Sequence, residues 1–220
     1  MADERCVMTN MKAGLAGQVS GGVGADFAFA DFGPLVDGEL ELVVPDERWI
    51  DDVMAACGHP LTQAEDVEHA PTTRVQLEQS VRTVPQGRDP GDATNGRIPT
   101  YSFWMRLRPE CNPPVLMAGG VSLRVGQTAD LVLYFGHIGY NVYPPARGHH
   151  YAARACRLLF GLARHHGLGA LWVTTDPSNL ASRRTCEYLG GVLVDIVDVP
   201  CNHILYQRGQ KRKCRYRINL

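Results

Sequence analysis

The sequence predicts an α/β protein built on a mixed, mostly antiparallel sheet with helices on both faces. Two observations carry that expectation. Between Tyr101 and Tyr143 three apolar runs follow one another across short turns with no helix between them, which marks an antiparallel meander. From Gly136 to Val199, runs of strand character then alternate with runs of helical period, which lays helices on a sheet. A chain of 220 residues, 45% hydrophobic and 20% charged, can bury a core of ordinary size as one domain.

Residues 1–37 are rich in Gly and Ala without a period, so they are expected to form a flexible N-terminal extension to a domain spanning 38–220. Gly22-Val23-Gly24 lacks the third glycine and the preceding strand of a nucleotide loop. Glu39–Val44 alternates as a strand closed by Pro45, and Asp46 caps a helix expected over Glu47–Cys57. A second helix is expected over Thr73–Val84, followed by a long loop from Pro85 to Pro99. The meander then comprises Tyr101–Leu107, Val115–Val125 and Leu131–Tyr143, with Gly119-Gly120 marking a bulge or a close backbone approach.

After Pro144-Pro145 a helix is expected from Arg147 to about His166, stopped by Gly167-Leu168-Gly169. Ala170–Thr175 reads as a strand parallel to its predecessor, because a helix intervenes. Asp176-Pro177-Ser178-Asn179 caps a helix over Leu180–Leu189 that Gly190-Gly191 ends. Val192–Val199 and the alternating run Lys213–Leu220 complete the sheet, with Arg215 and Arg217 facing out.

A net charge of −1 gives no global field for nucleic acid or a membrane surface. No run of about 18 apolar residues suggests a membrane span, and the N-terminus lacks a signal-peptide pattern. The 7 cysteines form no C-x-x-C pair, which points to reduced thiols in a cytoplasmic protein. The pairs His149-His150 and His165-His166 diverge by about 100° on a helix and have no nearby ligand of suitable spacing, so no metal is expected. The basic run from Lys211 to Arg217 lacks interleaved stacking aromatics, which leaves a nucleic-acid module as the weakest functional class.

The informative stretch is Gly136–Ala152: a strand, a Pro-Pro break, then a glycine turn opening into a helix. A helix start presents backbone N–H groups and the positive end of its dipole, a setting suited to phosphate. Arg147-Gly148-His149-His150-Tyr151-Ala152 would supply successive N–H donors and a cation.

That turn, the order of elements and the later Asn-x-x-Ser-x-x-x-Cys-Glu-x-Leu-Gly-Gly, beginning at Asn179, resemble the GCN5-related N-acetyltransferases over about Glu39 to Leu220. The family pattern of Gln or Arg, two residues, Gly, one residue, then Gly or Ala is met by Arg147 and Ala152, whereas His150 stands where glycine is usual. The resemblance implies a sheet splayed at the coenzyme site and a pyrophosphate cradle for acetyl-CoA at Arg147–Ala152. It also implies pairing of the pantetheine arm with the strand carrying Ile138, Tyr140 and Val142. Asn179, Ser182 and Cys186 match positions where the family has Asn, Ala or Ser, and the tyrosine that protonates the departing thiolate. Cys186 is thus a candidate acid, or packs on the helix face; Tyr188, some 200° further round, does not replace it. His137 is the candidate base, with a hydrogen-bonded core histidine as the other reading.

The implied function is acetyl transfer from acetyl-CoA to a primary amine of an unidentified acceptor, by direct attack in a ternary complex. A homodimer is left open. The competing class is a non-catalytic acyl-CoA-binding sensor or regulatory domain.

Overall fold

A computed structural model describes residues 27–65 and 73–220. The strands are β1 (Leu35–Asp37), β2 (Leu40–Val43), β3 (Arg88–Asp89), β4 (Thr100–Leu107), β5 (Met117–Arg124), β6 (Ile138–Val142), β7 (Ala170–Thr175), β8 (Val192–Asp198) and β9 (Arg212–Asn219). The helices are α1 (Ile50–Gly58), α2 (Pro60–Gln63), α3 (Arg74–Thr83), α4 (Tyr151–Leu158), α5 (Phe160–His165), α6 (Leu180–Tyr188) and α7 (Ile204–Gln207). One ladder runs β1-β2-β4-β5-β6 with β3 also on β4, and a second runs β7-β9-β8. All these pairings are antiparallel.

The parallel ladder expected between β7 and its predecessor is not formed. The two sheets meet where His137 N donates to Trp172 O at 2.7 Å and Trp172 N donates to His137 Nδ1 at 2.9 Å. A side chain takes the bond that a strand carbonyl would accept, so the ladder stops there and β6 continues without β7.

Alternation along β4 sorts the helices onto two faces. Tyr101, Phe103, Met105 and Leu107 are buried, and the Tyr101 hydroxyl lies 2.7 Å from His166 Nε2 just past α5. On the other face Arg106 lies 4.5 Å over the ring of Trp49 at the entrance to α1, and Ser102 shares a cavity with Ser80 of α3. The expected cap at Asp46 is in place, accepting from Arg48 N, and Thr73, expected inside the second helix, instead caps it in a capping box with Gln76.

Three expected boundaries move. Leu131–Phe135, read as the start of a strand, is a wide π-helical turn closed by Gly136 N donating to Leu131 O at 2.6 Å. The helix expected from Arg147 begins at Tyr151, because Gly148 (φ 90°) and His150 (φ 57°) occupy left-handed conformations that a helix cannot continue through, and it is divided into α4 and α5 at Leu159. The packed region starts before the expected boundary at 38: β1 pairs with β2, Phe29 meets Tyr101 edge-on at 4.9 Å, and Ala30 N donates to the Tyr101 hydroxyl. The remainder of the expected extension, with Gly22-Val23-Gly24 and Cys6, lies outside the described residues. Arg215 is also less exposed than its alternation implies, since it lies over Trp172 at 4.4 Å and pairs with Asp195 at 3.2 Å. Among the described residues no helix is long and apolar enough to cross a membrane.

Arg154 of α4 ties this added hairpin to the core. Its guanidinium donates to Asp37 Oδ2 at 2.8 Å and Glu39 Oε1 at 2.7 Å, on either side of Gly38. The bond from Arg154, followed by one from the Glu39 backbone, holds the Glu39 carboxyl down at about 2. A carboxyl whose folded pKa lies below its unfolded value of 4.5 stabilises the fold above that value and loses the contribution as pH falls toward 2. Thermal unfolding followed from pH 5 to 2 should therefore show a steeper fall in Tm for the parent than for Arg154→Met. Equal slopes would remove this pair from the acid response.

Candidate active site

The parity of the β5–β6 ladder follows from two bonds: Arg124 N donates to His137 O, and Tyr143 N donates to Ala118 O. From Gly139 on, odd-numbered residues therefore turn their backbone groups to β5, and Ile138, Tyr140 and Val142 turn theirs the other way, into the gap left by β7. Among the described residues that open edge receives one bond, from Arg147 Nε to Val142 O at 3.2 Å. Gly119 makes the approach of β5 possible, since a Cβ there would fall 2.0 Å from Asn141 O. The expectation of a close backbone approach at Gly119-Gly120 thus has a defined partner.

Past the gap the chain turns through Tyr143–Ala146 into a loop ending on α4. Arg154 N, donating to His150 O, is the first intrahelical bond of α4, and His150 makes no side-chain cap. Gly148, His149, His150, Tyr151, Ala152 and Ala153 consequently have backbone N–H groups with no acceptor among the described residues. Consecutive donors at a helix start form an anion-binding nest. Arg147, expected to add a cation, is paired with Glu65 at 2.8 Å just beyond α2. Glu65 has no counterpart in the sequence expectations, because 82 residues separate the partners.

His150 stands in the left-handed conformation that explains the family preference for glycine here. Its ring is stacked on Tyr188 at 4.5 Å and 13°, with Arg157 on the same tyrosine at 4.7 Å, while His149 stacks on Tyr151 at 5.3 Å. Left-handed backbone costs a non-glycine residue about 1 kcal/mol, and an aromatic stack returns a similar amount. His150→Ala keeps the strain and loses the stack, so denaturant unfolding should place it about 1 kcal/mol below His150→Gly. An alanine variant as stable as the glycine variant would show that the left-handed strain is not felt at this position.

Asn179 caps α6 by accepting from Ser182 N at 3.0 Å. Tyr140 reaches from β6 to this helix, its hydroxyl 2.9 Å from Ser182 Oγ and 3.3 Å from Ser182 O. Only the backbone of Tyr140 figures in the sequence expectation; period-2 alternation places its ring beside Ile138 and Val142 but names no partner. Burial pushes the Tyr140 hydroxyl well above its ordinary range. Cys186, one turn beyond Ser182, is fully buried, and burial pushes its thiol up to about 12. Tyr188 is 48% exposed on the other side of the helix, as the helical angle requires.

His137 is buried and has no lone pair to spare. Nδ1 accepts from Trp172 N, so the remaining ring proton sits on Nε2, which lies 2.9 Å from Gly126 O. Burial depresses its pKa, so the ring is neutral and holds the two sheets together. The candidate residues thus divide. Ile138, Tyr140 and Val142 border the gap, Tyr140 reaches Ser182 at the turn that Asn179 caps, Gly148–Ala152 form the nest, and His137 and Cys186 are buried.

A family model described as acetyltransferase (GNAT) domain matches residues 45–192. No curated relative matches the sequence. Among solved structures, a GCN5-related N-acetyltransferase from Brucella melitensis is 15% identical, covering 87% of this chain and 80% of its own, with a TM-score of 0.60. The microcin C7 self-immunity acetyltransferase, solved with acetyl-CoA and AMP, is 13% identical over 84% of this chain and 94% of its own, TM-score 0.59. The Salmonella typhimurium acetyltransferase that modifies the N-terminal serine of ribosomal protein L7/L12 is 14% identical over 84% and 96%, TM-score 0.56. At these identities the likeness is one of fold.

Proposed function

The chain belongs to the acetyltransferase (GNAT) family, whose co-substrate is acetyl-CoA, and from that premise we propose that it acetylates a primary amine by direct attack in a ternary complex. The observation that carries this reading is the nest of N–H groups from Gly148 to Ala153 lying beside the open edge of β6. The nest and Arg147 would hold the coenzyme's pyrophosphate, and the backbone groups of Ile138, Tyr140 and Val142 would align its amide-bearing arm as an added strand. The N–H groups on that edge would also stabilise the oxyanion formed when an amine adds to the thioester. As the carbon–nitrogen bond forms, the attacking nitrogen gives up a proton to water, which restores the acid after turnover. As the carbon–sulfur bond breaks, the sulfur leaves with the electron pair and needs a proton. We assign that proton to the Tyr140 hydroxyl, held by Ser182, in place of Cys186. His137 we assign to architecture, since both ring nitrogens are engaged.

Two measurements test this. Thermal shift with millimolar acetyl-CoA should show stabilisation, and its absence would overturn every coenzyme-binding reading. Thiol release across a panel of amines should then show turnover. Stabilisation without turnover on any amine would favour an acyl-CoA sensor.

A further inference from the structure

Arg124 ends β5 on the face opposite the core: Leu123 is fully buried, and Ser122 and Arg124 line a cavity of about 330 Å³ together with Ser80, Val84, Asp89 and Ser102. That volume suits a small ligand. The guanidinium lies against Gly139, where a Cβ would meet Ser122 Oγ at 3.2 Å and Arg124 Nη2 at 3.3 Å. Its one hydrogen bond among the described residues runs from Nη1 to Gly136 O at 3.1 Å. No carboxylate among the described residues pairs with it. Asp89, in the same wall, is engaged by Arg97 at 2.5 Å and by Gly91 N at 2.9 Å. Arg124 is half-buried, desolvation pushes its pKa down, and no carboxylate among the described residues offsets that cost.

We propose that this cavity is the anionic subsite of the acceptor, and that the acceptor is an amine that also carries a carboxylate, bound by the Arg124 fork and the hydroxyls of Ser102 and Ser122. The proposal rests on the acetyl-transfer reading above and names the substrate class for it. Gly139 directly precedes Tyr140, whose backbone faces the gap. Roughly 3 Å along β6 thus separates the residue beneath the guanidinium from the first residue of the reacting edge, which brings the charge within reach of a short amino acid placed there. A single guanidinium neutralises one charge, and Asp89 opposes a second, which favours a carboxylate over a phosphate dianion.

The test uses amine pairs matched in length with and without the anion: β-alanine against propylamine, and serine against ethanolamine, with phosphoethanolamine as the phosphate arm. The parent should favour the carboxylated member about tenfold in kcat/KM. Arg124→Gln should erase that ratio through KM while plain amines stay within about twofold, and Arg124→Lys should restore part of it. A purely architectural arginine would lower both members together, and that result, or an absent preference in the parent, overturns the proposal. A preference for phosphoethanolamine overturns the carboxylate assignment. If no amine turns over, thermal shift of the CoA-saturated protein decides separately. Stabilisation by the carboxylated members alone supports the subsite and removes the acetyl-transfer reading, whereas stabilisation by none removes both.

Discussion

Tyr140→Phe is expected to lower kcat about 10²-fold while the KM for acetyl-CoA changes little, because general acid catalysis contributes at least that much and the ring itself stays. The Tyr140 hydroxyl is the polar side-chain group that spans from β6 to α6, fixed by Ser182 Oγ and O. Burial keeps it protonated through the neutral range, so it is available as a donor to the departing sulfur, and kcat should show no alkaline fall below about pH 10. Ser182→Ala leaves the proton but loosens its holder, so a loss of about tenfold is expected. Cys186→Ala should keep kcat within about twofold, since its thiol, beside the Tyr140 hydroxyl, is fully buried and pushed up to about 12. Steady-state kinetics across pH on the three variants separates these roles. Full turnover by Tyr140→Phe would move the proton source to water, and a large loss at Cys186 alone would return the acid role to the thiol.

What the sequence made legible were features that short-range chemistry dictates. Asp46 and Asn179 cap their helices because a side-chain oxygen two or three residues ahead of free N–H groups needs no tertiary help. The outward backbone of Tyr140 and Val142 follows from strand parity once β5 is its neighbour. The N–H nest follows from a glycine turn entering a helix. The misplaced features have equally specific causes. Leu131-Val132-Leu133-Tyr134-Phe135 is apolar without a period, and such a run fits a strand or a buried helical turn equally well. The helix start was displaced because the left-handed state of His150 is invisible in a residue that is not glycine.

The site residues that escaped notice are all defined by partners far away in the chain. Arg124 alternates with Ser122 and so faces away from the core, which the sequence does suggest. That no carboxylate among the described residues pairs with it appears only when β4, β5, β6 and α3 are brought together around it. His137 reads from sequence as a base or a core residue alike. The choice is made by Gly126 O and Trp172 N, one on each side of the ring.

Arg147→Ala should raise the KM for acetyl-CoA by tenfold or more at low salt, since a charge-assisted bond to a pyrophosphate is worth roughly 1.5–3 kcal/mol. The ion pair with Glu65 is no obstacle: both side chains are 49% exposed, and pairs of that kind contribute about 0–1 kcal/mol. A pyrophosphate carries more charge and would meet the whole row of N–H groups from Gly148 to Ala153, so it wins the guanidinium. Glu65 is then a competitor, and Glu65→Gln should lower the KM by about two- to threefold. The double variant should match Arg147→Ala, because the glutamate acts only through the arginine. Raising the salt from 50 to 300 mM should shrink both effects, as screening weakens exposed charges. An unchanged KM in Arg147→Ala would take the arginine out of the cradle. A raised KM in Glu65→Gln would mean instead that the carboxylate holds Arg147 in position, with the ion pair as part of the coenzyme site and α2 acting as its clamp.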